Sequence, residues 1–265
     1  MKILLSIPPN LVNNFHQITG LSTDEFFVAS DPVDHKLGSG GGTTWLLRQY
    51  ADHCAQTKKN ANERKLLLHA GGQSRRLPAY GASGKILTPI PHIGNQRGQR
   101  FCQDLLSLQL PLYKQIMQSA PPSLTTMIVS GDVLIRAQKD LHPIPQADVV
   151  CYGLKLSAEK ASHHGVFVSD KNASQELLYM LQKPSVDEYE KLAATHQCLV
   201  DIGIWLLSDR AVKLLMEHCL SGLDNGKPFK REWESCGRSH FLGEYFPRGE
   251  DRYALFRLRR GRRPG

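Results

Sequence analysis

The chain has 265 residues, 41% hydrophobic and 22% charged, with a formal net charge of +8. That is the balance of a soluble globular protein, long enough for one large domain or two small ones. It excludes a membrane span, since no apolar run approaches the ~20 residues required. No signal peptide is expected, because the opening run at residues 3–7 is broken by Ser6 and stopped by Pro8 and Pro9, short of a core of roughly 7–15 residues.

Residues 222–265 carry 11 of the 33 Lys and Arg and 6 of the 25 Asp and Glu, so +5 of the +8 net charge lies there. A nucleic-acid partner is expected only through this tail, which ends RLRRGRRPG. The six cysteines are scattered with no C-x-x-C pair, which predicts reduced thiols in a cytoplasmic protein.

The first sixty residues read mainly as helix and loop. Ser22-Thr23-Asp24-Glu25 has capping-box spacing. A glycine-rich run at 38–43 precedes a helical TWLLRQYADHCA, and a polar stretch at 58–65 turns into the next element. From there, short apolar runs bounded by glycine and aspartate alternate with helical patterns. Strands are predicted over 64–69, 125–130, 147–154, 165–170, 177–183 and 197–207. A helix over 105–117 contains Pro111, which predicts a kink or break, and Ser208 caps a helix through Cys219. This alternation predicts an α/β fold, a mostly parallel sheet flanked by helices. Three segments follow: an amino-terminal helical and glycine-rich segment (1–62), an α/β domain (63–221) and an irregular or disordered basic tail (222–265), which has few aliphatic residues.

The strongest chemical signal is LLLHAGGQSRRLPAYGASGKILTPI at 66–90. A strand delivers the chain to Gly71-Gly72, where backbone N–H groups can approach a phosphate closely. Arg75 and Arg76 follow at once and Lys85 nine residues after Arg76, supplying charge and donors for a nucleoside triphosphate. A tight turn with solvated Arg and Lys is the plainer alternative. Asp132, at a strand end after Ser130-Gly131, is placed to hold a metal between phosphates or to be a turn aspartate. The 38–43 run is either a second wall of the nucleotide site, through Gly40 and Gly41, or a linker turn. His163 and His164 lack a third ligand at metal spacing and read as structure or substrate contact.

These motifs resemble the nucleotide-sugar pyrophosphorylase signature, L-x-A-G-G-x-x-x-R-L-x-P followed by K-x-L-x-P. Residues 1 to about 220 are similar to the amino-terminal part of the bifunctional fucokinase/fucose-1-phosphate guanylyltransferase (GDP-fucose pyrophosphorylase) family. The carrying segments include SDPVDHKLGSGGGTTWLL, IVSGDVLIR, HHGVFVSD, MLQKPS and DIGIWLLSDRAV.

The resemblance implies a Rossmann-like, GT-A-like nucleotidyltransferase fold. It implies transfer of GMP from GTP to L-fucose 1-phosphate, giving GDP-L-fucose and pyrophosphate. The loop residues Ala70, Gly71, Gly72, Gln73 and Ser74 would wrap the nucleotide, with Ser74 at a position the family more often fills with glycine. Arg76 would hold the β- and γ-phosphates, Lys85 the α-phosphate, Lys183 the sugar phosphate and Asp132 a Mg²⁺ cofactor. Gly165, Asp201 and Gly203 would face the sugar; Gln182 stands where the family has glutamate, and Asp201 where it has asparagine.

The resemblance also implies a second metal-binding aspartate, for which only Asp224 and Asp251 are available, in unmatched contexts. A carboxyl-terminal β-helix and a kinase half have no counterpart in these 265 residues, so a truncated chain without fucokinase activity is expected. The other function class is a non-catalytic nucleotide- or RNA-binding fragment.

Overall fold

The computed structural model describes residues 1–32, 37–70, 84–90, 103–135, 143–173, 176–220 and 253–257. Its spine is a single large sheet in the order β11 (Tyr253–Arg257), β7 (Val149–Leu154), β10 (His196–Ser208), β6 (Leu124–Ser130), β3 (Lys65–His69), β1 (Lys2–Ser6) and β2 (Phe26–Ala29), with β8 (Gly165–Asp170) and β9 (Leu177–Gln182) continuing from β10; β4 (Pro89–Ile90) and β5 (Gln103–Asp104) pair apart from it, and the short helices α1 (Pro9–Val12) and α2 (Phe15–Thr19) follow β1. Strands β1 (Lys2–Ser6), β2 (Phe26–Ala29), β3 (Lys65–His69) and β6 (Leu124–Ser130) run parallel, as do β7 (Val149–Leu154) and β11 (Tyr253–Arg257). The long β10 (His196–Ser208) is antiparallel to both β6 and β7. The result is the α/β architecture with a mostly parallel sheet that the alternation predicts.

The first sixty residues are mainly helix and loop, as read, but they also hold two strands that this reading did not place. KILLS forms β1, between β2 and β3. Ile3 and Leu5 enter one core cluster and Leu4 the opposite one, all three fully buried. A parallel strand covered on both faces shows no alternation, so five residues before a Pro-Pro pair carry no periodic signal. Ser22 does not open a helix either. Its hydroxyl accepts from the Asp24 N–H and its carbonyl from the Phe26 N–H, making a turn that leads straight into β2.

Helices cover both faces. On one, α4 (Leu105–Ser119) packs Leu106, Tyr113, Ile116 and Met117 against Ile3, Leu5, Leu66 and Leu68. Asp104 caps it by accepting from the Ser107 N–H at 2.7 Å. The helix continues through Pro111 without a break. On the other face, α3 (Gly38–Thr57) packs Leu46, Leu47, Tyr50 and Cys54 against Leu4 and Leu67. The glycine-rich run is therefore the first turn of a 20-residue helix and not a linker turn. Glycine disfavours helix, but burial of the following apolar face outweighs that propensity. α7 (Asp209–Leu220) packs Ala211 and Leu215 on Val149, Cys151 and Leu207. The Ser208 hydroxyl accepts from the Ala211 N–H as predicted.

Strands β8 (Gly165–Asp170) and β9 (Leu177–Gln182) pair antiparallel with each other, and β8 pairs with the first half of β10. The short helices α5 (Ala158–Ala161) and α6 (Val186–Thr195) back this smaller layer through Ala161, Tyr189 and Val200. In the tail, Tyr253–Arg257 form β11 along β7, where the sequence reading expected irregular chain. The remaining tail readings, including Asp224 and Asp251, lie outside the described residues.

Candidate functional site

The site forms where parallel strands β3 and β6 end. Ligands of open α/β sheets bind beyond the carboxyl ends of strands, where backbone groups and loops converge. The Gly131 N–H donates to the His69 carbonyl at 2.9 Å, tying the two strand ends together. A side chain at Gly131 would lie 2.8 Å from that carbonyl oxygen, so only glycine allows the approach. Ala70, next after β3, is anchored by its N–H to the Ser6 carbonyl at 2.8 Å. The loop residues Gly71, Gly72, Gln73, Ser74 and Arg76 lie outside the described residues.

Lys85 returns to this point in a 3-10 turn, Lys85–Leu87. Its ammonium meets an Asp132 carboxylate oxygen at 3.0 Å, across 47 residues of sequence. The other Asp132 oxygen accepts from the Ser130 hydroxyl at 2.7 Å. Burial pushes the Asp132 carboxyl up, but the Ser130 hydroxyl and the Lys85 ammonium outweigh it and hold it below its usual range. Behind it, the buried Gln109 amide on α4 donates to the Val133 carbonyl and its oxygen accepts from the Tyr113 hydroxyl. This anchor on the chain after Asp132 has no motif, and sequence reasoning missed it.

From Asp132 a cleft of about 840 Å³ extends over the smaller layer. It brings together Asp132, Gly165, Lys183, Asp201 and Gly203, from four separate segments. Its floor is a β-bulge. Between Asp201 and Trp205, β10 advances four residues while its partner β7 moves only from Gly153 to Cys151. Gly203 turns this corner at φ +75°. The Asp201 carboxylate accepts from the Gly203 N–H at 2.7 Å and from the Trp205 indole at 3.2 Å. Burial nevertheless pushes its pKa up to about 6, against the lowering effect of these two donors.

Lys183 adopts φ +50°, and its N–H donates to the His164 carbonyl at 3.0 Å. A left-handed lysine outside a helix cap is strained backbone of the kind found at binding sites. His163, His164 and Gln182 line the same wall, together with an apolar side of Leu134, Leu154, Leu156 and Met180.

Gly40 and Gly41 do not line this cleft. They sit in the first turn of α3. That turn is joined to the site indirectly, through the Thr43 hydroxyl and His69 Nε2 at 2.7 Å. Burial lowers the His69 pKa to about 4, so the ring is neutral at pH 7 and acts as a hydrogen-bonding spacer one residue before Ala70. Among the described residues no three His, Cys, Asp or Glu side chains cluster as a ready-made metal site. Among them, too, no helix is long and apolar enough to cross a membrane.

Two comparisons bear on this geometry. Residues 58–237 match the model of the fucose pyrophosphorylase domain, which takes in β3, the Lys85–Asp132 corner and the whole cleft. The chain belongs to this family. The chain is also 56% identical over 221 residues to an L-fucokinase/L-fucose-1-P guanylyltransferase of Bacteroides fragilis. That match covers 82% of this chain and 23% of the relative. A fucose-1-phosphate guanylyltransferase of Mus musculus is 26% identical over 189 residues, 65% of this chain and 30% of the relative. A bifunctional fucokinase/GDP-fucose pyrophosphorylase of Arabidopsis thaliana is 26% identical over 209 residues, 68% of this chain and 20% of the relative. The chain thus spans less than a third of the length of the curated relatives it matches.

Proposed function

We propose that this domain transfers GMP from GTP to L-fucose 1-phosphate, releasing pyrophosphate and forming GDP-L-fucose. The observation that carries the reading is the meeting of Lys85 and Asp132 at the ends of β3 and β6, on the rim of the cleft that also holds Lys183. The names of the relatives supply the substrate class.

The chain's own residues do positioning and charge work. Lys85 exchanges Asp132 for the α-phosphate of GTP, and Arg76 holds the β- and γ-phosphates. Lys183 aligns the attacking phosphate of the sugar. No side chain has to move a proton, because a sugar phosphate is already an anionic nucleophile. Catalysis then rests on alignment and fixed charge. Asp132 fits a Mg²⁺ ion. Its side chain is 49% exposed and held in its charged form, and Mg²⁺ needs only one or two carboxylates beside phosphate oxygens and water. When bound, that ion supplies charge neutralisation between the phosphates.

The test is a thermal melt of the chain with GTP and Mg²⁺ beside UTP and ATP controls, followed by a pyrophosphate-release assay with L-fucose 1-phosphate. At ~100 Kd a ligand that binds only the folded state adds about 2.7 kcal/mol. A rise in Tm selective for GTP is expected, lost in Lys85→Ala. Equal or absent shifts with all three nucleotides reject the guanylyl reading.

A further inference from the structure

The polar groups of the cleft divide into those already engaged and those left over. Among the described residues its carboxylates are Asp132, held by Lys85 and Ser130, and Asp201, held by the Gly203 N–H and the Trp205 indole. Both acids are thus engaged by donors of the protein in this structure. His163, His164 and Lys183 also line the cleft, and among the described residues none of the three side chains has a hydrogen-bond or ion-pair partner. Both histidines are exposed.

This wall is not a loose surface. The Lys183 N–H bonds the His164 carbonyl at 3.0 Å, one step beyond the Gly165–Gln182 pair that ends the β8–β9 ladder. The histidine backbone is held from the other side, with the His163 N–H on the Lys160 carbonyl and the His164 N–H on the Ala161 carbonyl. An ammonium and two imidazoles on a fixed backbone, with the neighbouring carboxylates engaged by other donors, form a corner that can present several donors at once. Such a corner favours an oxyanion with several acceptor oxygens.

We propose that His163 and His164 are positioning residues that, with Lys183, bind the phosphate monoester of the sugar phosphate. This deepens the reading above and rests on it for the identity of the sugar. The two anions are thereby separated: nucleotide phosphates at the Lys85 end of the cleft and the attacking monoester at the histidine end.

The test is titration calorimetry of the full chain with L-fucose 1-phosphate, with L-fucose lacking the phosphate and with inorganic phosphate. It is run on wild type, His163→Ala/His164→Ala and His163→Gln/His164→Gln. The alanine pair is expected to weaken L-fucose 1-phosphate and inorganic phosphate about tenfold or more. L-fucose should bind as in wild type, and the Tm shift by GTP should be unchanged. The glutamine pair, which keeps a donor, should recover part of the affinity. Wild-type affinity in the alanine pair, or equal weakening of L-fucose and its phosphate, overturns the proposal. So does a wild type that binds none of the three. Whether GTP shifts the melt is read separately, so failure of the guanylyltransferase reading is distinguishable from failure of the histidine wall.

Discussion

Asp201 sits at the corner of the β10 bulge with its pKa raised from 3.8 to about 6 by burial. A folded-state pKa above the unfolded one means that the native chain binds more protons between these values. The cost of ionising Asp201 is absent below about pH 4 and complete above about pH 6, so stability falls as pH rises through this window. At about 1.4 kcal/mol per unit, the cost at pH 7 is at most ~3 kcal/mol. Asp201→Asn keeps an oxygen for the Gly203 N–H and removes the charge. It is expected to gain about 1–3 kcal/mol at pH 7 and nothing at pH 4, read from urea midpoints at the two pH values. A loss at pH 7 would show instead that the Trp205 indole needs the carboxylate. The asparagine at this place in N-x-G-I motifs makes the substitution a conservative probe.

At the scale of elements, the glycines tell which contacts are rigid. A Cβ at Gly131 meets the His69 carbonyl oxygen at 2.8 Å, and neither backbone can yield without parting β3 from β6. Gly131→Ala is therefore expected to cost about 1–3 kcal/mol, as overpacking of a tight contact does, and to displace Asp132. At Gly165 the obstructing atom is the Met180 methyl, the free end of a flexible side chain. Gly165→Ala should fold with near-wild-type stability while pushing Met180 aside within the cleft. Guanidinium denaturation of the two variants checks the contrast, and equal losses would refute it.

The whole sheet depends on its amino-terminal strand. β1 lies between β2 and β3 and sends Ile3, Leu4 and Leu5 into cores on both faces. Full burial of three such side chains is worth about 1.5–3 kcal/mol each, comparable with a typical domain stability of about 5–15 kcal/mol. A chain of residues 63–265 is expected to show no cooperative thermal transition by circular dichroism, whereas the full chain melts cooperatively. A cooperative melt of the shorter chain would show that residues 1–62 are dispensable for folding of the rest.

Strands bounded by glycine or aspartate turns, the helix α4 and the Ser208-capped α7 were legible in the sequence, because each rests on neighbours within a few residues. So was the family, through long motif segments such as HAGGQSRRLPAYGASGK. The identity of β1 was not legible, because burial on both faces erases alternation and the run is short. Neither was the helical state of residues 38–42, where packing of Leu46 and Leu47 overrides four glycines. The Lys85–Asp132 pair, the bulge under Asp201 and the histidine wall beside Lys183 exist only once β3 lies along β6 and β9 along β8. Strand register, set by the packed core, brings distant residues within hydrogen-bond reach. Residue chemistry was written locally; the juxtapositions that make it a site were decided by the sheet.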